Sequence, residues 1–212
     1  MSLSKNISIK VCGLTRKEEI AELSQLGVAY AGFIFYERSG RFVGNKLAPK
    51  EIKEINTLKK VGVFVNASRD SILEKAKQFG LNMLQLHGEE SPEICEILRE
   101  HLPVMKAFKI KTKEDLHSVS AYEHACDYFL FDTAGKLYGG NGELFNWELL
   151  KYYEGQTPFF LSGGIGPGEV EALKQFNHPS WRGIDVNSRF EDAPGRKNIP
   201  ALKKFLWDLN IN

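Results

Sequence analysis

The chain has 212 residues, 42% of them hydrophobic and 26% charged, with 28 Lys and Arg against 27 Asp and Glu. That is the composition of a folded chain able to bury one sizeable core, and it excludes a disordered or fibrous protein. A formal net charge of +1 leaves no bulk field for a nucleic-acid or membrane partner.

Targeting signals and metal or disulfide patterns are equally sparse. Cys12, Cys95 and Cys126 show no C-x-x-C spacing, so no disulfide framework or zinc site is expected, and a reducing cytoplasm is the default. No apolar signal region opens the chain, and no run is long enough to span a membrane. Residues 1–6 are read as a leader.

Short apolar runs then alternate with amphipathic stretches. Ile7–Cys12 reads as a first strand; Thr15 can cap the helix Arg16–Leu26, which puts Ile20, Leu23 and Leu26 on one face. Tyr30–Phe35 is the second strand, and Pro49–Leu58 a helix with proline in its first turn. Val61–Val65 precedes Ser71–Phe79, and Met83–Leu86 precedes Pro92–His101, with Ser91 as N-cap. Val104–Phe108 and Lys113–Tyr122 follow, then Tyr128–Phe131 and Trp147–Tyr153. Phe159–Leu161 with Gly168–Phe176, and Gly183–Val186 with Ile199–Leu209, complete the alternation. The strand runs are largely apolar and rich in β-branched or aromatic residues, as parallel strands buried on both faces should be. Eight strands alternating with eight helices predict an α/β fold, a closed (β/α)8 TIM barrel in one domain over residues 1–212. An open doubly wound sheet is the rival. It would use fewer strands and want a G-x-G-x-x-G after the first.

In such a barrel, chemistry sits where strands end in loops. Cys12 ends the first strand. A nearby positive charge would lower its pKa and let its thiolate abstract a proton, and Lys10 points the same way two residues earlier. The bland alternative is a small buried hydrophobe. Arg41, in Ser39-Gly40-Arg41, suits a bidentate carboxylate clamp, against a solvated loop charge. Gln85 and His87 end the fourth strand. Asp132 follows a strongly apolar run, where apolar walls would raise its pKa and make it a general acid, against an N-cap role. The glycine-rich stretch Gly135 to Gly142 can close over a substrate. Gly163 and Gly164 follow the seventh strand, and Asn187, Ser188 and Arg189 the eighth, the usual place for a phosphate. Isolated His and Asp residues at these ends, without paired ligand spacing, do not require a metal.

In order along the chain stand KVCGLT at 10–15, GFIF at 32–35, S-x-R at 39–41, VGVFVN at 61–66 and LQLHGEE at 84–90. KAF at 106–108, FDT at 131–133, GGNGELFNW at 139–147, SGGI at 162–165 and DVNS at 185–188 continue the series. This ordered set resembles the phosphoribosylanthranilate isomerases, the Amadori-rearrangement enzymes of tryptophan biosynthesis. The resemblance implies Cys12 as general base, Asp132 as general acid and Arg41 as the contact for the anthranilate carboxylate. It implies that Gln85 and His87 line the substrate pocket and that Gly163, Gly164, Asn187 and Ser188 form the phosphate turns. It further implies ring opening to an iminium, loss of the C2 proton and an enolamine that tautomerises to the ketone, with no cofactor. The expected partner is a small phosphorylated substrate, and the chain a monomer or homodimer.

Two positions depart from the family's pattern. The loop after the sixth strand reads Gly139-Gly140-Asn141-Gly142 where GGTG is common. Arg189 stands where the family commonly has glycine. Such a side chain either supplements the phosphate donors or turns away into an ion pair with Glu191 or Asp192; the second is expected, because it would crowd the approach of backbone amides. Competing readings are a pentose-phosphate epimerase, which wants several metal-binding strand ends, an indole-glycerol-phosphate synthase using Lys106, and a non-catalytic phosphometabolite-binding barrel.

Overall fold

The computed structural model describes residues 7–132 and 147–210. Eight strands form a closed, wholly parallel barrel in chain order: β1 Ser8–Val11, β2 Tyr30–Ile34, β3 Lys59–Phe64, β4 Met83–Leu86, β5 Val104–Lys109, β6 Tyr128–Asp132, β7 Phe159–Ser162 and β8 Trp181–Val186. The predicted (β/α)8 TIM barrel is therefore the observed architecture. β8 closes on β1, with Lys10 in register with Asp185 and Val11 with Val186. The glycine-rich stretch 135–142 and the leader 1–6 lie outside the described residues.

Alternation along each strand sorts side chains into two cores. Residues facing outward, such as Phe129, Phe131 and Phe159, pack under the helices in the larger cluster. Tyr30, Val61, Met83, Met105, Ala107, Leu130 and Phe160 form a separate cluster that fills the barrel's interior. The same alternation carries Cys12 to the face shared by Lys10, Gln85 to that of Met83, and Asp132 to that of Leu130. The lower barrel is thus plugged with apolar side chains, and the polar residues collect at its upper end.

The outer layer departs from simple helical expectation in several places, among them Ser120–Tyr122, a 3-10 turn at the end of the helix predicted over Lys113–Tyr122. The helices are α1 Lys17–Leu23, α2 Pro49–Lys53, α3 Arg69–Phe79, α4 Pro92–Arg99, α5 Asp115–Val119, α6 Val170–Gln175 and α7 Ile199–Asp208. α2 stops at Lys53, and Leu58 packs from the following loop, 4% exposed. The helix predicted at Trp147–Tyr153 is a 3-10 run, Trp147–Tyr152, and α6 is entered through a 3-10 turn at Pro167–Glu169. α3 shows how well-formed ends arise: the Ser68 hydroxyl accepts from the Ser71 amide, and Gly80 closes the helix in the left-handed region.

An unpredicted hairpin follows β8. β9 Glu191–Ala193 pairs antiparallel with β10 Arg196–Lys197 across a turn at Pro194-Gly195. It also overturns the expected cap on α1. Arg16 occupies that N-cap, and the Thr15 hydroxyl instead donates to the Gly195 carbonyl at 2.6 Å.

Candidate active site

A cavity of about 300 Å³ opens at the C-terminal ends of the strands. Cys12, Gln85, His87, Asp132, Gly163, Gly164, Asn187 and Ser188 all line it. One strand end after another contributes a residue, which is why positions scattered over the sequence share one mouth.

Cys12 reaches that mouth because its neighbours give way. A Cβ on Gly32 of β2 would lie 2.9 Å from the Cys12 sulfur, so the glycine of GFIF makes room for the thiol. Gly13 turns the chain with φ +74°, and a Cβ there would meet the Arg41 Cδ at 2.7 Å and the Asn187 Oδ1 at 2.8 Å. Lys10 does share the face of Cys12, but its ammonium is fully buried and ion-paired with Asp185 at 2.7 Å. Burial pushes the Cys12 thiol up, more than Lys10 and Lys197 pull it down. The expectation that nearby positive charge would leave this thiol below its ordinary value is therefore corrected: the desolvation of a nearly enclosed sulfur outweighs it. The Cys12 thiolate, followed by its ultraviolet absorbance against a Cys12→Ser protein, is expected to appear only above the ordinary thiol midpoint of about 8.5. A midpoint below that value would show that the cations prevail.

Asp132, three strands round the barrel from Cys12, faces the His87 ring, with Oδ2 3.4 Å from Nε2. Gln85 Nε2 lies 2.9 Å from His87 Nδ1. An amide N–H donating there places the ring proton on Nε2, toward Asp132. Gln85 Oε1 is buried without a hydrogen-bond partner among the described residues.

After β7, Gly163 and Gly164 both adopt positive φ, +82° and +71°, and the space beside Gly164 is open. This tight turn leaves backbone, not side chain, at the mouth. Two residues beyond Gly164 the amide is already used: Gly166 N–H donates to Glu169 at 2.7 Å. Asn187 lines the cavity, yet its Oδ1 accepts from Lys197 at 2.8 Å. Arg189 is exposed on the rim of the same cavity. The expected ion pair with Glu191 or Asp192 is not formed. Glu191 is taken by Arg41 and Lys197, and Asp192 faces Arg196 and accepts from Asn198.

Arg41 is placed differently from the other candidates. Its Nε–Nη2 edge is bound to the buried carboxylate of Glu191, with Nε at 2.9 and 3.0 Å from the two oxygens. The Nη1 side of the fork is what remains for a ligand. Lys106, by contrast, sits on the outward face of β5. It donates to the Gly88 carbonyl at 2.7 Å beside Glu90, outside this cavity, which removes it as a catalytic lysine here. Among the described residues, no three His, Cys, Asp or Glu side chains gather to hold a metal.

Sequence reasoning gave Asp185 and Lys197 no part in the site, and named Glu191 only as a possible partner of Arg189. The Pro194-Gly195 pair signals a turn, and Asp185 stands two residues before Asn187 on the same strand face. Those were the available cues.

Residues 9–207 match a family model described as N-(5'-phosphoribosyl)anthranilate (PRA) isomerase. The chain is 49% identical over 204 residues to an N-(5'-phosphoribosyl)anthranilate isomerase from Parabacteroides distasonis, covering 95% of this chain and 92% of that one. It is 48% identical to the same-named protein from Phocaeicola vulgatus, over 95% and 97% of the two chains. A phosphoribosyl anthranilate isomerase structure from Thermotoga maritima superposes with a TM-score of 0.81 at 30% identity, over 96% and 98% of the two chains. Another such isomerase, holding reduced 1-(o-carboxyphenylamino)-1-deoxyribulose 5-phosphate, gives 0.80 at 29% identity over the same shares.

Proposed function

The chain belongs to the N-(5'-phosphoribosyl)anthranilate isomerase family, and from that membership we propose that Cys12 and Asp132 are its proton-transfer pair. The reaction is the Amadori rearrangement of N-(5'-phosphoribosyl)anthranilate to 1-(2-carboxyphenylamino)-1-deoxyribulose 5-phosphate in tryptophan biosynthesis. The observation that carries the assignment is the placing of a thiol and a carboxyl on one 300 Å³ cavity, three strands apart, with a glycine turn beside them.

Asp132 gives a proton to the ribose ring oxygen. The C1–O bond breaks as the nitrogen lone pair forms the iminium. The Cys12 thiolate then takes the C2 proton, and the electrons released form the C1=C2 bond while the nitrogen regains its pair. The enolamine tautomerises to the ketone. The iminium is the electron sink, so side chains need only move protons. His87, oriented by Gln85, keeps an N–H facing Asp132. Gly163, Gly164 and Ser188 support the phosphate from backbone and hydroxyl groups, with Arg189 on the rim as a charged donor.

The test is loss of the substrate's fluorescence on adding protein. Turnover that falls by about 100-fold or more in Cys12→Ala and Asp132→Asn supports the assignment, and no loss of fluorescence with the unaltered chain overturns it. Arg41→Ala is expected to raise KM more than it lowers kcat, because a carboxylate clamp holds ground and transition states alike. Steady-state kinetics showing an unchanged KM would leave Arg41 as a partner of Glu191 only.

The free thiols of Cys12, Cys95 and Cys126 fit a cytoplasmic protein, and we place it there. Among the described residues, no helix is long and apolar enough to cross a membrane. A related structure is described as monomers generated from the dimeric Thermotoga maritima isomerase; this chain is proposed to act as a monomer or homodimer.

A further inference from the structure

Lys197 has no assigned part in the reaction, yet it is buried and tied into the mouth. Its side chain is fully enclosed. Nζ donates to Glu191 Oε1 and to Asn187 Oδ1, each at 2.8 Å. The same Asn187 oxygen lies 2.8 Å from where a Cβ on Gly13 would stand, next to Cys12 in the chain. Glu191, with its side chain 3% exposed, also grips Arg41 and accepts from the Gly195 amide at 3.1 Å. The hairpin that carries both residues is itself anchored to the loop after β1 through Thr15 and abuts the loop after β2, where a Cβ on Gly40 would lie 3.3 Å from Pro194.

Around Cys12, the buried or half-buried charges are Lys10 and Asp185 from β1 and β8, Arg41 from the loop after β2, and Glu191 and Lys197 from the hairpin. Lys10 is matched by Asp185. Arg41 and Lys197 share the single carboxylate of Glu191. Glu19 of α1, which accepts from the Lys197 backbone, has its own cation in Arg16 at 3.4 Å. Asp132 and His87 stand across the mouth, and Arg189 on its exposed rim. The set beside the sulfur is three cations against two anions. One positive charge is left over, the amount an ionised thiol would neutralise.

We propose that Glu191 and Lys197 form a positioning device for the reaction: Glu191 fixes Arg41 against the Gly13 turn beside Cys12, and Lys197 supplies the cation that balances an ionised Cys12. This rests on the reading of Cys12 as the base. The physical logic is that a thiolate in a desolvated place is held by compensating charge. Burial draws the Lys197 ammonium down, against the pull of Glu191. Hydrogen bonds from Arg41 and Lys197 outweigh burial to hold the Glu191 carboxyl low.

The experiment titrates the thiolate absorbance of the full chain, in difference against its Cys12→Ser counterpart, in Lys197→Met, Lys197→Arg and Glu191→Gln. Lys197→Met is expected to raise the Cys12 midpoint by about one pH unit or more, with Lys197→Arg returning it most of the way. Glu191→Gln removes an anion and is expected to lower the midpoint, while releasing Arg41 and raising KM. Loss of packing alone would not shift one thiol in opposite directions. Midpoints that coincide with the unaltered chain in all three overturn the proposal. If Lys197→Met does not fold, the downward shift in Glu191→Gln together with a near-normal midpoint in Lys197→Arg decides it, and an upward or absent shift in Glu191→Gln rejects it. Full turnover in Cys12→Ala would instead reject the catalytic reading beneath it.

Discussion

Cys12→Ala and Asp132→Asn are each expected to lower kcat by roughly 10²–10⁴-fold, the usual consequence of removing a general base or acid. That corresponds to about 3–5 kcal/mol of transition-state stabilisation. Neither change disturbs the barrel. Cys12 contributes a small side chain against Gly32, and Asp132 ends β6 with its carboxyl at the mouth. Both variants should therefore bind a product analogue with near-normal affinity, separating chemistry from binding. The double variant should be little worse than the poorer single one, since either loss alone stops the proton relay. Near-full turnover in either single variant would rule out that residue's role.

The largest stability effect is expected at the barrel seam. Lys10 is fully buried and Asp185 6% exposed, paired at 2.7 Å where β8 closes on β1. Asp185→Ala leaves a lysine enclosed without its anion, and breaking a buried pair from one side costs about 3–5 kcal/mol. For a domain of this size that is a drop in Tm of roughly 6–20 °C. Asp185 holds the Lys10 ammonium above its ordinary value against the opposing pull of burial. Without that partner, burial is opposed only by the weaker pull of Cys12, and the folded pKa is expected to fall below the unfolded one. The sign follows: the deficit is largest when Lys10 must be charged and shrinks as pH rises toward about 10, where it can be buried neutral. Lys10→Met combined with Asp185→Leu should recover much of the loss, because two apolar side chains replace two charges. Denaturation midpoints showing the double variant as unstable as Asp185→Ala would place the damage elsewhere.

All eight strands were legible in the sequence to within two residues at either end. Each is a predominantly apolar run, broken only by single residues such as Lys10, Gln85, Lys106 and Asp185, as a strand buried on both faces requires. Helices were less so. The stretch after β6 has the apolar spacing of a helix but folds as a 3-10 run, and Leu58 belongs to a covering face although α2 ends at Lys53. Apolar periodicity reports which side meets the core, and hydrogen-bond pattern is a separate matter. The hairpin at 191–197 escaped because its strands are too short for any period to show.

The sequence by itself determined the barrel, the strand ends that bear chemistry, and the family. Strand alternation and loop position are local properties, and they put Cys12, His87, Asp132 and Gly163-Gly164 at one end of the barrel before any contact is known. Only the tertiary structure decided what surrounds them. Lys10 meets Asp185 across 175 residues, and Arg41 meets Glu191 across 150. Each of these ions has several equally plausible partners in the sequence. Which one it finds depends on the closure of the last strand on the first and on a hairpin folded against the loops after β1 and β2; burial, rather than charge, governs the Cys12 thiol.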